Sequence, residues 1–130
     1  MTRYDYGDYT FITESMQGKN EKLLLASAAI NPDFKNGDCI GKKIECVGYA
    51  VRPVDLYDTD TNTKNTVTNC ILFDTDGNSY STISNGIAAV VCQWVKAGVE
   101  PTWEEPLWVE YVQKSKGTYR FYSLKPCKNR

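Results

Sequence analysis

The sequence predicts a mostly β domain with two helices. This prediction rests on four consecutive segments. They are a long strand (residues 40–54), a hairpin (66–73 and 79–84), a helix (85–97) and a second hairpin (107–113 and 118–124). Read in order, they give strand, strand, strand, helix, strand, strand. That is the element order of the OB-fold, a five-stranded Greek-key barrel that binds oligonucleotides or oligosaccharides on one face. An N-terminal helix is expected ahead of it, and the second helix lies between strands three and four.

Length and composition fit one domain. The chain has 130 residues, of which 42% are hydrophobic, enough for a packed core. No apolar run approaches the ~20 residues that span a bilayer. The first residues lack the apolar segment of a secretory signal. We therefore expect a cytoplasmic protein that does not enter a membrane.

The cysteine and histidine content argues against several kinds of site. The chain has five cysteines and no histidine. The odd count argues against a disulfide framework, and without histidine or a Cys-x-x-Cys pair a zinc site is not expected. Cys46, Cys70 and Cys92 are interpreted as small core residues. Without histidine, Ser-His-Asp and Cys-His catalysis is excluded. We expect no enzyme, no catalytic residue, no metal and no cofactor.

Three regions are expected along the chain. Residues 1–19 form a weakly ordered arm in which alternating aromatics allow a short edge strand. Residues 20–125 form the OB-fold domain, and residues 126–130 form a basic tail. Asn20 is the expected N-cap of the first helix, and Pro32 ends that helix because the residue before proline resists the α conformation.

The long first strand should bend at Gly48, where a glycine inside a strand indicates a bend or bulge. Alternation then assigns two faces to the strand. One face holds Ile44, Cys46 and Ala50, and the other holds Lys43, Val47, Tyr49 and Val51.

Two acidic stretches are interpreted as connections. Residues 55–65 are a polar loop in which Asp58, Asp60 and Asn62 imitate the start of a calcium loop. Counted from Asp58, the sixth position is Thr63 rather than glycine and the twelfth is Asn69 rather than glutamate, so we reject an EF-hand. Residues 74–78 contain Asp76-Gly77, a strong hairpin signal.

The helix at residues 85–97 carries one apolar stripe at helical spacing, in which Trp94 is expected to plug the barrel. Gly98 should end this helix.

Charge and aromatic residues suggest a polyanion ligand. The net charge is −1, yet the chain has six basic residues and no acid from Tyr111 onward. A basic sector can mark such a surface, although a solvated terminal face is equally consistent with it. Single-stranded nucleic acid is held by aromatic rings that stack on bases and by Lys and Arg that contact phosphates.

The candidate ssDNA-binding residues follow from this chemistry. Lys114, Lys116 and Arg120 would contact phosphate. Tyr49, Tyr80, Tyr119 and Tyr122 would stack on bases, with help from Lys43, Arg52 and Tyr57. For each aromatic residue, packing in the core is the alternative. The acids at Asp55, Asp58 and Asp60 weaken the case near Tyr57.

Several short segments also resemble a known family. They are residues 23–31, 40–44, 72–80, 85–87 and 100–103. They resemble the small replication-associated single-stranded-DNA-binding proteins of phages of Gram-positive hosts. The resemblance implies an OB-fold, a role in coating ssDNA during phage replication, and a location in the host cytoplasm. Residues 125–130 are basic, in contrast to the acidic tail with which bacterial single-stranded-DNA-binding proteins recruit partners, so we do not expect recruitment through such a tail.

The expected partner is single-stranded DNA, bound with little sequence preference. Replication proteins are further candidate partners, and a homodimer is left open. The alternative is that the same barrel is a protein-interaction module of a replication or host-targeting complex, with Trp103, Trp108 and the N-terminal tyrosines at the contact.

Overall fold

The structure is a computed structural model that describes residues 1–35 and 38–128. It is mostly β with two helices, as predicted, and its strands form one curled, open sheet. The strands are β1 (Thr2–Tyr6), β2 (Phe11–Ile12), β3 (Phe34–Lys35), β4 (Lys43–Asp58), β5 (Thr63–Asp74), β6 (Ser79–Thr82), β7 (Leu107–Lys116) and β8 (Tyr119–Pro126). The helices are α1 (Lys19–Ile30) and α2 (Asn85–Ala97), and a 3-10 turn (Glu14–Met16) precedes α1. In the described part of the chain, neither helix has the length and apolar character to cross a membrane.

The sheet is built around β4. The strand order is β3-β6-β5-β4-β7-β8, and β1 and β2 also pair with β4. The five strands that the sequence predicts correspond to β4 through β8. The additional strands come from the N-terminal arm and from the short segment β3. The arm pairs with β4 through β1 and β2, which agrees with the short edge strand that its alternating aromatics allow.

A bulge in β4 occurs where the sequence predicts it. The pairing of β4 with β5 shifts register between Cys46 and Gly48, which leaves one extra residue in β4. The bulge inverts the alternation that follows it, because side chains on a strand otherwise alternate strictly. Tyr49 therefore lies in the same buried cluster as Ile44 and Cys46, whereas Val47 lies on the opposite face. The predicted assignment of faces was wrong for this reason.

The central strands are covered on both faces. One face packs against α2 in a cluster that includes Tyr49, Leu72 and Val91. The other face packs against α1 and the 3-10 turn in a cluster that includes Met16 and Phe73. Trp94 packs against the first cluster as predicted, and its ring centroid lies 5.7 Å from that of Tyr49.

The turns between strands differ in part from the prediction. The expected loop at residues 55–65 is mostly strand, because β4 continues to Asp58 and β5 begins at Thr63. The turn after β5 is confirmed, since Asp74 Oδ1 accepts hydrogen bonds from the backbone N–H groups of Asp76 and Asn78, both at 2.9 Å. The basic loop of the last hairpin is also shorter than predicted, because β7 extends through Lys116.

The ends of the first helix and of the chain also need correction. The N-cap of α1 is Gly18 rather than Asn20. The predicted basic tail lies only partly in the described chain, since residues 129 and 130 are outside it. Cys46 and Cys70 are fully buried as expected, whereas Cys92 is half-buried.

The close approach of α2 to β8 generates a prediction about Gly86. A Cβ atom at Gly86 would collide with the backbone carbonyl oxygen of Tyr122. We expect Gly86→Ala to lower the free energy of unfolding by about 1–3 kcal/mol, since overpacking against a backbone cannot be relieved by a rotamer change. Urea denaturation measures this loss. The control, Ala89→Val, adds atoms at an exposed position of α2 and should cost less than about 0.7 kcal/mol. Equal stability of Gly86→Ala and wild type would contradict this packing.

Candidate functional site

Two predicted stacking residues are buried in the core. Tyr49 is 0% exposed, and its hydroxyl donates to the carbonyl oxygen of Val99 at 2.8 Å. Tyr80 is 5% exposed because it pairs with Leu72, whose side chain faces α2, and its hydroxyl donates to Asp74 Oδ2 at 2.6 Å. The prediction that these two rings stack on bases is therefore wrong.

The last hairpin keeps its basic residues at the surface but divides them between two faces. Directly opposed residues of an antiparallel pair share a face. Lys116 lies opposite Tyr119, and Lys114 lies opposite Phe121, so the two lysines and Tyr119 share one face. Arg120 belongs to the other face, as does Tyr122, which is half-buried.

Tyr57 and Lys43 lie at opposite ends of β4. Tyr57 lies between Arg3 on β1 and Lys64 on β5, with the Arg3 guanidinium 4.5 Å from the centre of the Tyr57 ring. Lys43 is exposed and lies opposite Glu110 on β7. The structure therefore does not bring the predicted site residues together on one surface.

A different surface combines aromatic and basic residues. We name it the Tyr4–Arg52 cleft, an open cavity of about 290 Å³ on the face of the sheet that α1 partly covers. Its lining residues come from β1, the end of α1, the strands β3 to β6, and the connections that follow α1 and β6, namely Tyr4, Tyr6, Ala28, Ala29, Ile30, Pro32, Lys35, Arg52, Asn69, Ser81, Thr82 and Ile83.

Two exposed tyrosines form one wall of the cleft. Tyr4 and Tyr6 alternate along β1 and therefore point to the same face of the sheet. Their ring centroids are 6.5 Å apart and the rings are nearly parallel, at 18°. Tyr4 is 52% exposed and Tyr6 is 48% exposed, so both rings offer surface to a planar ligand.

Arg52 forms the floor of the cleft and is held from four sides. Its Nε donates to Asn69 Oδ1 at 2.8 Å, and its Nη2 donates to the carbonyl oxygen of Ala29 at 3.0 Å. That carbonyl belongs to the last turn of α1, where the negative end of the helix dipole favours a cation. The guanidinium also lies over the rings of Tyr6 and Tyr9, at 4.1 and 5.2 Å from their centres.

The charge of the cleft is positive. Arg52 is only 6% exposed, and the structure records no carboxylate that pairs with it among the described residues. Lys35 adds a second, exposed cation at the rim. None of the described residues that line the cleft is acidic. A nearly buried cation without a carboxylate partner is costly in an apolar setting, so it favours an anion nearby.

The sequence identified Arg52 as a candidate ssDNA-binding residue, but it assigned the N-terminal tyrosines only to the alternative protein contact, and it missed Lys35 and Asn69. The alternating aromatics of the arm were visible as a short edge strand. What placed the tyrosines beside Arg52 is the pairing of β1 with β4, which joins segments about fifty residues apart.

Comparison of the chain with protein-family models, with curated proteins and with solved structures found no match.

The geometry of Arg52 leads to a prediction about stability. Arg52→Lys keeps the charge but cannot serve both Asn69 and the Ala29 carbonyl with a fixed planar fork. We expect a loss of about 1–3 kcal/mol in the free energy of unfolding, the usual result of an unsatisfied buried acceptor. The matched control is Arg120→Lys at an exposed position, which should stay within about 0.5 kcal/mol. If urea denaturation gives the same loss of unfolding free energy for the two substitutions, the hydrogen bonds of Arg52 to Asn69 and to the Ala29 carbonyl do not stabilise the fold.

Because two thiols are buried, we predict that the free energy of unfolding falls at alkaline pH. Burial raises the pKa of Cys46 and of Cys70 from the ordinary 9.0 to about 12. Well below pH 9.0 both the folded and the unfolded protein keep these protons. As the pH rises from 9.0 toward 12, the unfolded thiols ionise first, so unfolding becomes coupled to proton release and stability falls. Urea denaturation across this range should show the decline. A Cys46→Ala/Cys70→Ala double variant should decline less steeply, and an identical slope would contradict this origin.

Proposed function

We propose that the protein binds single-stranded DNA with little sequence preference through the Tyr4–Arg52 cleft. The observation that carries this proposal is the pair of exposed, near-parallel tyrosines beside a nearly buried guanidinium that forms no ion pair with any carboxylate of the described residues. Bases stack on Tyr4 and Tyr6, and the phosphates lie near Arg52 and Lys35. Ring stacking and cationic contacts to phosphate are the two components of sequence-tolerant binding to single strands.

We also propose that the curled sheet is an OB-fold. The first strand of an OB barrel is long and pairs in both halves of the barrel, and β4 pairs with β5 as well as with β7. In this assignment β5 and β6 are the second and third strands. The cleft is lined by Asn69, Ser81 and Thr82 of these strands, and the ligand face of OB-folds includes strands two and three.

The last hairpin is a second contact in this proposal. Its turn corresponds to the loop between strands four and five, which borders the ligand in OB-folds. Lys114, Lys116 and Tyr119 share one exposed face there, and Arg120 extends from the other. With the resemblance to phage proteins, this supports a role in coating ssDNA during replication in the cytoplasm of a host cell. The protein has no enzymatic step in this role, and replication proteins are its further partners.

A second candidate function rests on apolar residues at the rim of the cleft. Ile30 is 89% exposed and Ile83 is 37% exposed, and both line the Tyr4–Arg52 cleft. Exposed apolar surface around a groove is typical of contacts with another protein. A protein-interaction module would use these residues to bind its partner. A pull-down would then still recover that partner after nuclease treatment. Such a partner, found together with no oligonucleotide binding, favours this second function.

The first test is a titration of a fluorescent oligothymidine with the protein. We expect binding at low salt and a loss of affinity of about tenfold or more between about 50 and 200 mM salt, since each phosphate contact contributes roughly 0.7 to the logarithmic slope. Fluorescence anisotropy measures both affinities. Absence of binding at low salt, or affinity indifferent to salt, contradicts the proposal.

Substitutions in the cleft test where the strand lies. Tyr4→Ala/Tyr6→Ala should weaken binding by about thirtyfold or more, given ~1–3 kcal/mol for each of the two stacked bases. Tyr4→Phe/Tyr6→Phe is the matched control, because it keeps both rings and should bind within about twofold. Equal binding by the alanine variant places the ligand elsewhere.

Substitutions in the hairpin test the second contact. Replacing Lys114, Lys116 and Arg120 together with alanine should weaken binding and flatten its salt dependence. Replacing Lys19, Lys22 and Lys96 with alanine removes the same charge from the helices and is the control. If the hairpin variant binds within about twofold of the control, the hairpin does not contact the strand.

A further inference from the structure

The edge strand β1 has one side on which no described strand pairs with its backbone. β1 hydrogen-bonds to β4 on one side, and no other described strand pairs with it. All five of its residues are exposed. An exposed edge with unpaired backbone groups is a template for a further strand, which proteins usually block with charge or proline.

The backbone groups at this edge can be assigned residue by residue. The N–H of Gly7 donates to the carbonyl oxygen of Pro53 at 2.8 Å, and the N–H of Thr59 donates to that of Met1 at 3.0 Å. Alternate residues of an antiparallel strand bond to the same neighbour. Arg3 and Asp5 therefore also direct their backbone groups to β4. The backbone groups of residues 2, 4 and 6 point to the unpaired side.

The sequence of β1 is complementary to itself. If two copies pair antiparallel about Tyr4, each Tyr4 lies opposite the other, and Thr2 lies opposite Tyr6 of the second copy. These are the residues whose backbone groups are available, so they form the hydrogen-bonded pairs. Arg3 then lies opposite Asp5 of the second copy, and Asp5 lies opposite Arg3 of the second copy. Both are non-hydrogen-bonded pairs, in which opposed side chains come closest.

We propose that β1 joins two copies of this chain into a symmetric dimer, held by its edge hydrogen bonds and by two Arg3–Asp5 ion pairs between the copies. Opposed residues share a face, so the tyrosines of both copies lie on the same side of the joined sheet. The two Tyr4–Arg52 clefts then lie side by side. Paired five-residue strands bury less than the roughly 1,200 Å² at which stable interfaces begin. The dimer is therefore weak and forms as concentration rises.

Charge exchange tests this dimer without any nucleic acid. Sedimentation equilibrium of wild type, from low micromolar to near-millimolar concentration, should show a monomer–dimer equilibrium. Arg3→Asp and Asp5→Arg each place like charges opposite each other and should each raise the dissociation constant about tenfold or more. The Arg3→Asp/Asp5→Arg double variant restores opposite charges in every pair and should restore the wild-type dissociation constant.

Two further variants complete the test. Thr2→Pro removes an N–H group from the unpaired edge and should weaken the dimer without breaking a bond to β4. Arg120→Asp reverses an exposed charge on the last hairpin and should leave the dimer unchanged. A wild type that is monomeric at every concentration overturns the proposal. So does a dimer that persists in Arg3→Asp and Thr2→Pro, or a double variant that remains a monomer. Because the readout is the mass of the protein alone, it is independent of the oligonucleotide titrations.

Discussion

The Tyr4–Arg52 cleft depends on the contacts of the Arg52 guanidinium. The guanidinium connects three parts of the chain, because it bonds to the end of α1 and to Asn69 on β5 while lying under the Tyr6 ring of the arm. Its partners among the described residues are a helix end, an amide and two ring faces, and no described carboxylate neutralises its charge. The floor of the cleft consequently retains a positive potential, which a phosphate could satisfy.

The bulge at Gly48 shows how far the sequence could predict the core. Glycine within a β-rich run correctly indicated the bend in β4, and the Asp-Gly turn and the stripe on α2 followed from local chemistry. The face on which Tyr49 lies could not be predicted in this way, because one additional residue in a strand moves every later side chain to the opposite face. Tyr80 was misplaced for a related reason. Its environment depends on its register opposite Leu72, which only the folded sheet determines.

The candidate site was predictable only in fragments. Arg52 and the basic hairpin could be identified from residue type, and the alternating tyrosines of the arm suggested an edge strand. Nothing local in the sequence indicated that β1 pairs with the far half of β4, or that α1 ends against Arg52. Both contacts are long-range. They convert a loose cluster of aromatic and basic residues into one open cleft, and they leave the hairpin as a separate surface.

Photo-crosslinking would measure whether bases stack on the tyrosines of the arm. An oligothymidine that carries 5-iodouracil would be irradiated in complex with the protein, and the crosslinked residues mapped by mass spectrometry. We expect crosslinks at Tyr4 and Tyr6, reduced by an excess of unlabelled oligothymidine. Crosslinks confined to residues outside the Tyr4–Arg52 cleft, such as Trp103 on the α2–β7 connection, would contradict it.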